Sequence, residues 1–330
     1  MDRLSGFFAD LAARQLTRRG FLKLCCALAG LVLFSGRGLI PGAGQAHAAA
    51  PNGRRRASKR GAHDLVYARG EDPARLVKAA LAAMGGMSRF VSSGDVVVIK
   101  PNIGWDRSPE QAGNTNPDVV AALVELAFEA GAKKVKVFDV TCNDARRCYE
   151  ASGIRSAAAA KGASVIFPDD WNTVPARFAY ESPMEDWPVL RDALECDTFI
   201  NVPIVKHHGL TRLTLSMKNL MGVCAGSRGR MHQDIGRKLV DLTDLIQPDL
   251  TVLDAYRVLV RNGPTGGNLA DVRDLRTVAV SHDPTLADLY AARLMDVSWQ
   301  EVPYLAHACE RGFGITDLDA ADIVDAGAVA

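Results

Sequence analysis

Between residues 95 and 295 the chain alternates short runs that are apolar on both faces with longer stretches carrying one apolar stripe. Few architectures accept that alternation. A strand buried on both faces needs helices on both faces, and the striped stretches supply them as crossovers between parallel strands. Asp95-Val96-Val97-Val98-Ile99 is the clearest such strand. Asn116-Pro117-Asp118 then reads as an N-cap, a first-turn proline and a first-turn acid. Behind it Val119, Val120, Leu123, Leu126, Ala127 and Ala130 share one helical stripe, and Gly131 ends the helix. Further strands are predicted over 135–140, 198–202, 250–253 and 277–280, with Pro203 ending regular pairing of the second. Ile235, Leu239, Leu242 and Ile246 mark a helix stopped by Pro248, and Asp283-Pro284 opens a last long helix through Met295. The predicted fold is α/β, a mostly parallel sheet with helices on both faces, in a single domain over residues 64–330.

Ahead of this domain stands a different kind of segment. Arg14, Arg18, Arg19 and Lys23 precede an apolar run, Leu24–Phe34, of eleven residues. As a helix that run is about 16 Å long, short of the ~20 residues that span a bilayer. Ala46-His47-Ala48 places small residues before a cut at Ala49, so residues 1–48 read as a cleavable secretory leader. Thr17-Arg18-Arg19-Gly20-Phe21-Leu22-Lys23 resembles the twin-arginine (Tat) export motif. That resemblance implies passage through the twin-arginine translocase, a periplasmic destination and a cargo folded before export. An uncleaved leader acting as a membrane anchor is the alternative. Arg54-Arg55-Arg56 and Lys59-Arg60, beside Pro51, Gly53, Ser58 and Gly61, make residues 49–63 a solvated basic linker.

Charge and cysteine usage narrow the chemistry. The whole chain is +1 and the leader is strongly basic, leaving the rest at about −3. Such a balance gives no electrostatic case for nucleic acid. Five cysteines follow the leader: Cys142, Cys148, Cys196, Cys224 and Cys309. An odd, widely spaced set is no disulfide framework, although Cys142 and Cys148 are close enough in sequence to pair. No Cys-x-x-Cys occurs, so no iron–sulfur cluster is expected from this chain alone. The glycine-rich dinucleotide fingerprint, the phosphate loop, the Gly-x-Ser-x-Gly elbow and the His-Glu-x-x-His motif are also missing.

Ligands of open parallel sheets sit beyond the carboxyl ends of the strands. Here those ends carry Lys100-Pro101-Asn102, Asp139 with Thr141, Asn143 and Asp144, Lys206-His207-His208, Asp254 with Tyr256, and Ser281-His282-Asp283. Turns are polar by nature, but turn chemistry favours Gly, Pro, Asn, Asp and Ser rather than Lys and His. The densest stretch runs from Asn201 to Asp234. Adjacent side chains of an extended segment point opposite ways, so His207 and His208 do not share one ion. His207 with His232 and Asp254 is the candidate metal set. The nearby lysines instead suit a phosphate, a carboxylate or an anionic cofactor, held by Lys100, Asn102, Asn201, Asn219 and Arg228. Gly222, Gly226 and Gly229 would let backbone approach such an anion. Lys206 and Lys218 are the candidate catalytic residues, as charge stabilisers or as bases whose proton affinity falls among apolar neighbours. Leu213, Leu215, Met217, Leu220 and Met221 read as core.

The chain resembles the domain of unknown function 362 family. The likeness rests on Val98-Ile99-Lys100-Pro101-Asn102-Ile103, Glu129-Ala130-Gly131-Ala132-Lys133-Lys134-Val135, Phe199-Ile200-Asn201-Val202-Pro203 and Lys206-His207-His208. It continues through Thr214-Leu215-Ser216-Met217-Lys218-Asn219-Leu220-Met221-Gly222, His232, Pro248–Ala255, Gly263-Pro264, Asp283-Pro284 and Ala287-Asp288, covering about residues 95–290. Members of that family occur with iron–sulfur modules, and some carry twin-arginine leaders. The resemblance therefore implies an iron–sulfur or other redox partner, and no particular reaction. The expected protein is a periplasmic metal- or anionic-cofactor-dependent enzyme or redox accessory. The alternatives are a non-catalytic anionic-solute-binding protein and a folded companion of an iron–sulfur partner.

Overall fold

Val97, Val98 and Ile99 are all fully buried, although alternate residues of a strand face opposite sides of its sheet. Val97 and Ile99 join one apolar cluster and Val98 another. The strand therefore separates two cores. A computed structural model of the chain describes residues 59–168 and 172–329. The predicted leader, and the linker up to residue 58, lie outside the described residues.

In chain order, β1 (Leu65–Gly70) leads into α1 (Pro73–Ala83), then β2 (Val96–Pro101), α2 (Pro117–Glu129) and β3 (Lys134–Val137). Two short helices follow, α3 (Ala145–Ala151) and α4 (Ile154–Ala160), before β4 (Ser164–Val165). β5 (Thr173–Pro175) and β6 (Pro188–Leu190) pair apart from the main sheet and precede α5 (Arg191–Glu195). β7 (Thr198–Val202), β8 (Ile204–His208), β9 (Arg212–Thr214) and α6 (Ser216–Asn219) come next. The order closes with α7 (Ile235–Ile246), β10 (Leu250–Leu259), β11 (Val272–Ser281), α8 (Pro284–Leu294), α9 (Pro303–Glu310) and β12 (Ile323–Val329).

The main sheet runs β12-β1-β11-β10-β7-β2-β3-β4, with β8 and β9 attached beside β10. α1 and α2 pack their apolar faces against Val97, Ile99, Ile200 and Val252 on one side. α7, α8 and α9 pack against Val98, Phe199, Leu253 and Ala279 on the other. The fold is thus α/β with a mostly parallel sheet covered on both faces. The caps also form where the sequence places them. Asn116 Oδ1 accepts from the Asp118 N–H at 2.9 Å, and Asp283 Oδ1 from the Leu286 N–H at 2.9 Å.

Three features differ from the expectations drawn from sequence. β11 runs antiparallel to both β10 and β1, and the β10–β11 pair reaches Leu259 and Val272, past the apolar cores predicted for these strands. An apolar run locates a strand but does not orient it, because burial on both faces looks the same in either direction. The strand predicted over 135–140 ends at Val137. The chain leaves the sheet there, and the Val140 N–H donates to the Gly222 carbonyl instead. Lys206-His207-His208 is no strand-end turn but the body of β8. Pro203 lacks an N–H, yet its carbonyl accepts from the Asp254 N–H at 2.9 Å, and Ile204 pairs with Asp254. The proline shifts the chain from β7 into a hairpin without letting it leave the sheet.

Replacing Ile99, fully buried in the centre of β2, by alanine should cost about 3 kcal/mol of unfolding free energy. Urea denaturation followed by far-ultraviolet circular dichroism checks this; a loss within experimental error would contradict a close-packed two-faced core.

Candidate functional site

The β8–β9 hairpin decides which residues face the site. Lys206 is in register with Thr214 and His208 with Arg212. Cross-strand partners share a face, and residues two apart on a strand share it too. Lys206, His208 and Thr214 therefore point one way and His207 the other. Their face lines a cavity of about 600 Å³ at the carboxyl ends of β2 and β3. Asn102, Gly104 and Trp105 enter it after β2; Asp139, Val140 and Cys142 enter after β3. Lys218, Asn219 and Met221 come from α6 and its continuation, and Arg228 and His232 from the short 3-10 helix before α7. The volume is that of a drug- or cofactor-sized molecule.

Behind this wall lies a buried polar network centred on Asn219. Its amide NH2 donates to the Lys100 carbonyl and to Asn201 Oδ1, at 3.2 and 2.9 Å. Its Oδ1 accepts from Lys100 Nζ at 3.2 Å and from Asn102 Nδ2 at 3.0 Å. Lys100 Nζ also donates to the Pro101 carbonyl at 2.8 Å and forms an ion pair with Asp139 Oδ1 at 2.7 Å. Three oxygens thus surround an ammonium that has three protons to give. The site needs α6 against β2 and β7, and Asp288 holds it there. Its carboxylate accepts from the Ser216 and Met217 N–H groups at 2.7 and 3.1 Å. Burial pushes the Asp288 carboxyl up to about 7 despite those bonds.

Two other ammonium groups lack such compensation. Lys206, 1% exposed, donates to Asn102 Oδ1 at 3.1 Å and to the Gly113 carbonyl at 2.6 Å. Lys218, 6% exposed, has the Met221 thioether at 3.3 Å as its one hydrogen-bond partner among the described residues. Neither forms an ion pair among the described residues. Burial pushes Lys206 down to about 7; the nearby Cys142 and Asp139 oppose this in part, and weaker repulsion from Lys218 and Lys100 adds to it. Burial likewise lowers Lys218 to about 8, helped by Arg228. Arg228 itself is tied to the carbonyls of Val140 and Thr141.

The histidines are set by the same surroundings. His208 Nδ1 accepts from the Leu210 and Thr211 N–H groups at 3.1 and 3.3 Å, which leaves its proton on Nε2. Burial first, then the nearby cations, push His208 down to about 3, so the ring is neutral at neutral pH. It stacks on His232 with centroids 6.0 Å apart. His232 Nδ1 lies 3.2 Å from the Gly229 carbonyl, which places its proton on Nδ1 and leaves Nε2 as an acceptor. The Thr214 hydroxyl, in a side chain 4% exposed, has no hydrogen-bond partner among the described residues.

The structure thus gathers Asn102, Lys206, Lys218, Asn219, Arg228 and His232 at one cavity. Lys100 and Asn201 stand one layer behind, holding Asn219. His207, His232 and Asp254 do not come together, and no group of three His, Cys, Asp or Glu side chains suited to a metal occurs among the described residues. Strand parity turns His207 outward, where its Nδ1 accepts from the Gly263 N–H at 3.2 Å. Asp254 instead accepts from the N–H groups of Asn116 and Tyr256 at 2.7 and 3.1 Å. Cys142 and Cys148 are both free thiols. Gly222 serves the ion pair: a Cβ there would lie 1.7 Å from Asp139 Oδ1. Asp139, His208 and Thr214 also line the cavity, and the sequence alone assigns them no role. The shared parity of Lys206 and His208 is the available signal for the second.

A model of a family described as a domain of unknown function (DUF362) matches residues 97–293, more than half of the chain. The chain is 28% identical over 235 residues to the thylakoid-associated protein sll1697 of Synechocystis sp., covering 68% of this chain and 71% of that protein. It also superposes on the lactate racemase apoprotein from Thermoanaerobacterium thermosaccharolyticum with a TM-score of 0.46 and 11% identity. That superposition covers 74% of this chain and 59% of the racemase chain, less than two thirds of the latter's length.

Removing Asp139 with alanine strands the Lys100 ammonium in the interior and should cost about 3–5 kcal/mol. Adding Lys100→Met to that variant should recover part of the loss, because the unpaired charge goes with it. A double-mutant cycle by urea denaturation reads the coupling, and strictly additive losses would contradict the pairing.

Proposed function

The chain belongs to the DUF362 family, and on that footing we propose that its cavity binds an anionic small molecule and exchanges protons with it through Lys206 and Lys218. One observation carries this reading: two nearly buried ammonium groups line the cavity, and neither is ion-paired to a carboxylate among the described residues. Burying an unpaired charge is costly, and an anion entering the cavity removes that cost. A bare divalent cation would meet repulsion from the same groups. The lowered proton affinities of Lys206 and Lys218 also suit a group that takes and returns a proton near neutral pH.

The setting we propose is the periplasm, reached in folded form through the twin-arginine translocase, with a redox protein as partner. The motif at residues 17–23 supports the route, and a relative described as thylakoid-associated agrees with a setting beside a membrane system. Folding before export fits a ligand or partner acquired in the cytoplasm. Capture of an anion without turnover is the rival use of the same cavity. It predicts binding with no exchange of ligand protons into deuterated water, whereas the enzyme reading predicts exchange that Lys206→Met abolishes.

Affinity for anions should fall as pH rises. Binding needs both lysines charged, Lys206 loses its proton near 7 and Lys218 near 8, and a bound anion raises both values. Between pH 6 and pH 9 the association constant should drop by about a thousandfold. At pH 8 calorimetry in buffers of different ionisation enthalpy should detect proton uptake. A pH-independent constant would exclude the lysines as the binding charges.

Replacing Arg18 and Arg19 together by lysine should leave the protein in the cytoplasmic fraction. Cell fractionation with immunoblotting reads the outcome, and undiminished export would refute the twin-arginine route.

A further inference from the structure

The free donors of the cavity narrow its ligand further. Among the described residues Lys206 has one ammonium proton beyond those given to Asn102 and Gly113, and Lys218 has a thioether alone for its three. Thr214 adds a hydroxyl without a partner among the described residues, set beside Lys206 by the register of the hairpin. His208 adds an Nε2–H on the same face, because its Nδ1 is taken by backbone. On the acceptor side Asp139 is committed to Lys100 and to the Ile103 N–H.

We infer that the ligand is an organic phosphate monoester whose dianionic head sits among Lys206, Lys218, Thr214 and His208. The inference rests on the anion-site reading above. A single carboxylate brings one charge and two oxygens, leaving one of the two buried ammonium groups uncompensated. A phosphate monoester brings close to two charges and three terminal oxygens, which matches the two lysines and the other donors that line the cavity. Inorganic phosphate would satisfy the head but leave most of a cavity of about 600 Å³ unfilled. The lining also includes Trp105, Val140 and Pro264, and these fit an apolar or aromatic body.

Isothermal titration of the full-length protein at pH 6.5 with phenyl phosphate, inorganic phosphate and benzoate tests this. Phenyl phosphate should bind about tenfold more tightly than either of the others, as expected for charge-assisted hydrogen bonds gained together with apolar contact. Thr214→Val should weaken phenyl phosphate by about fivefold and leave benzoate within about twofold, and Thr214→Ser should restore the difference. Benzoate binding as tightly as phenyl phosphate overturns this inference and leaves the anion site standing. Inorganic phosphate binding as tightly as the ester overturns the organic body. If none of the three binds, the anion-site reading falls with it. The ranking of probes on the unaltered protein decides these outcomes even where the valine variant folds poorly.

Discussion

The ion pair between Lys100 and Asp139, with Asn219 bridging it to β7, is the constraint on which the site depends. It joins the ends of β2 and β3 to α6 in the interior, where a charge without partners would not be tolerated. Gly222 can approach only because it has no side chain. Asp288 fixes the start of α6 from the far side of the core. Each of these contacts joins elements distant in sequence, so the wall of the cavity is assembled only when the whole domain is.

Against that satisfied network, Lys206 and Lys218 stand out as under-compensated. Lys100 has three oxygens around its ammonium; Lys218 has one sulfur. The same side chain, buried to a similar degree, is in one case part of the scaffold and in the other held at an energetic disadvantage beside a cavity. Local conflicts that a fold tolerates concentrate where ligands bind. The contrast therefore sets the ion-paired Lys100 of the scaffold apart from the two lysines that line the cavity.

Much of this organisation is legible in the amino-acid sequence. The caps at Asn116 and Asp283, the glycine stop at Gly131 and the two-faced strand at 96–99 follow from local backbone chemistry, which neighbours in sequence settle. The gathering of Asn102, Lys206, Lys218, Asn219, Arg228 and His232 follows from the rule that ligands meet strand ends. The direction of β11 is not legible, because apolar content does not encode polarity of pairing. Nor is the outward turn of His207. Choosing between adjacent histidines requires knowing that Pro203 leads into a strand whose parity is set by pairing with β9 and β10.

The sequence by itself determined the class of fold, three of the longer helices and the end of the sheet where the cavity lies, since each depends on periodicity and local capping. Tertiary structure decided which lysine is neutralised. That depends on whether a carboxylate from beyond another strand reaches the same spot, and Asp139 reaches Lys100 while Lys206 and Lys218 have no ion pair among the described residues. Burial and pairing are properties of three-dimensional neighbours, and the charge state of a cavity follows from them.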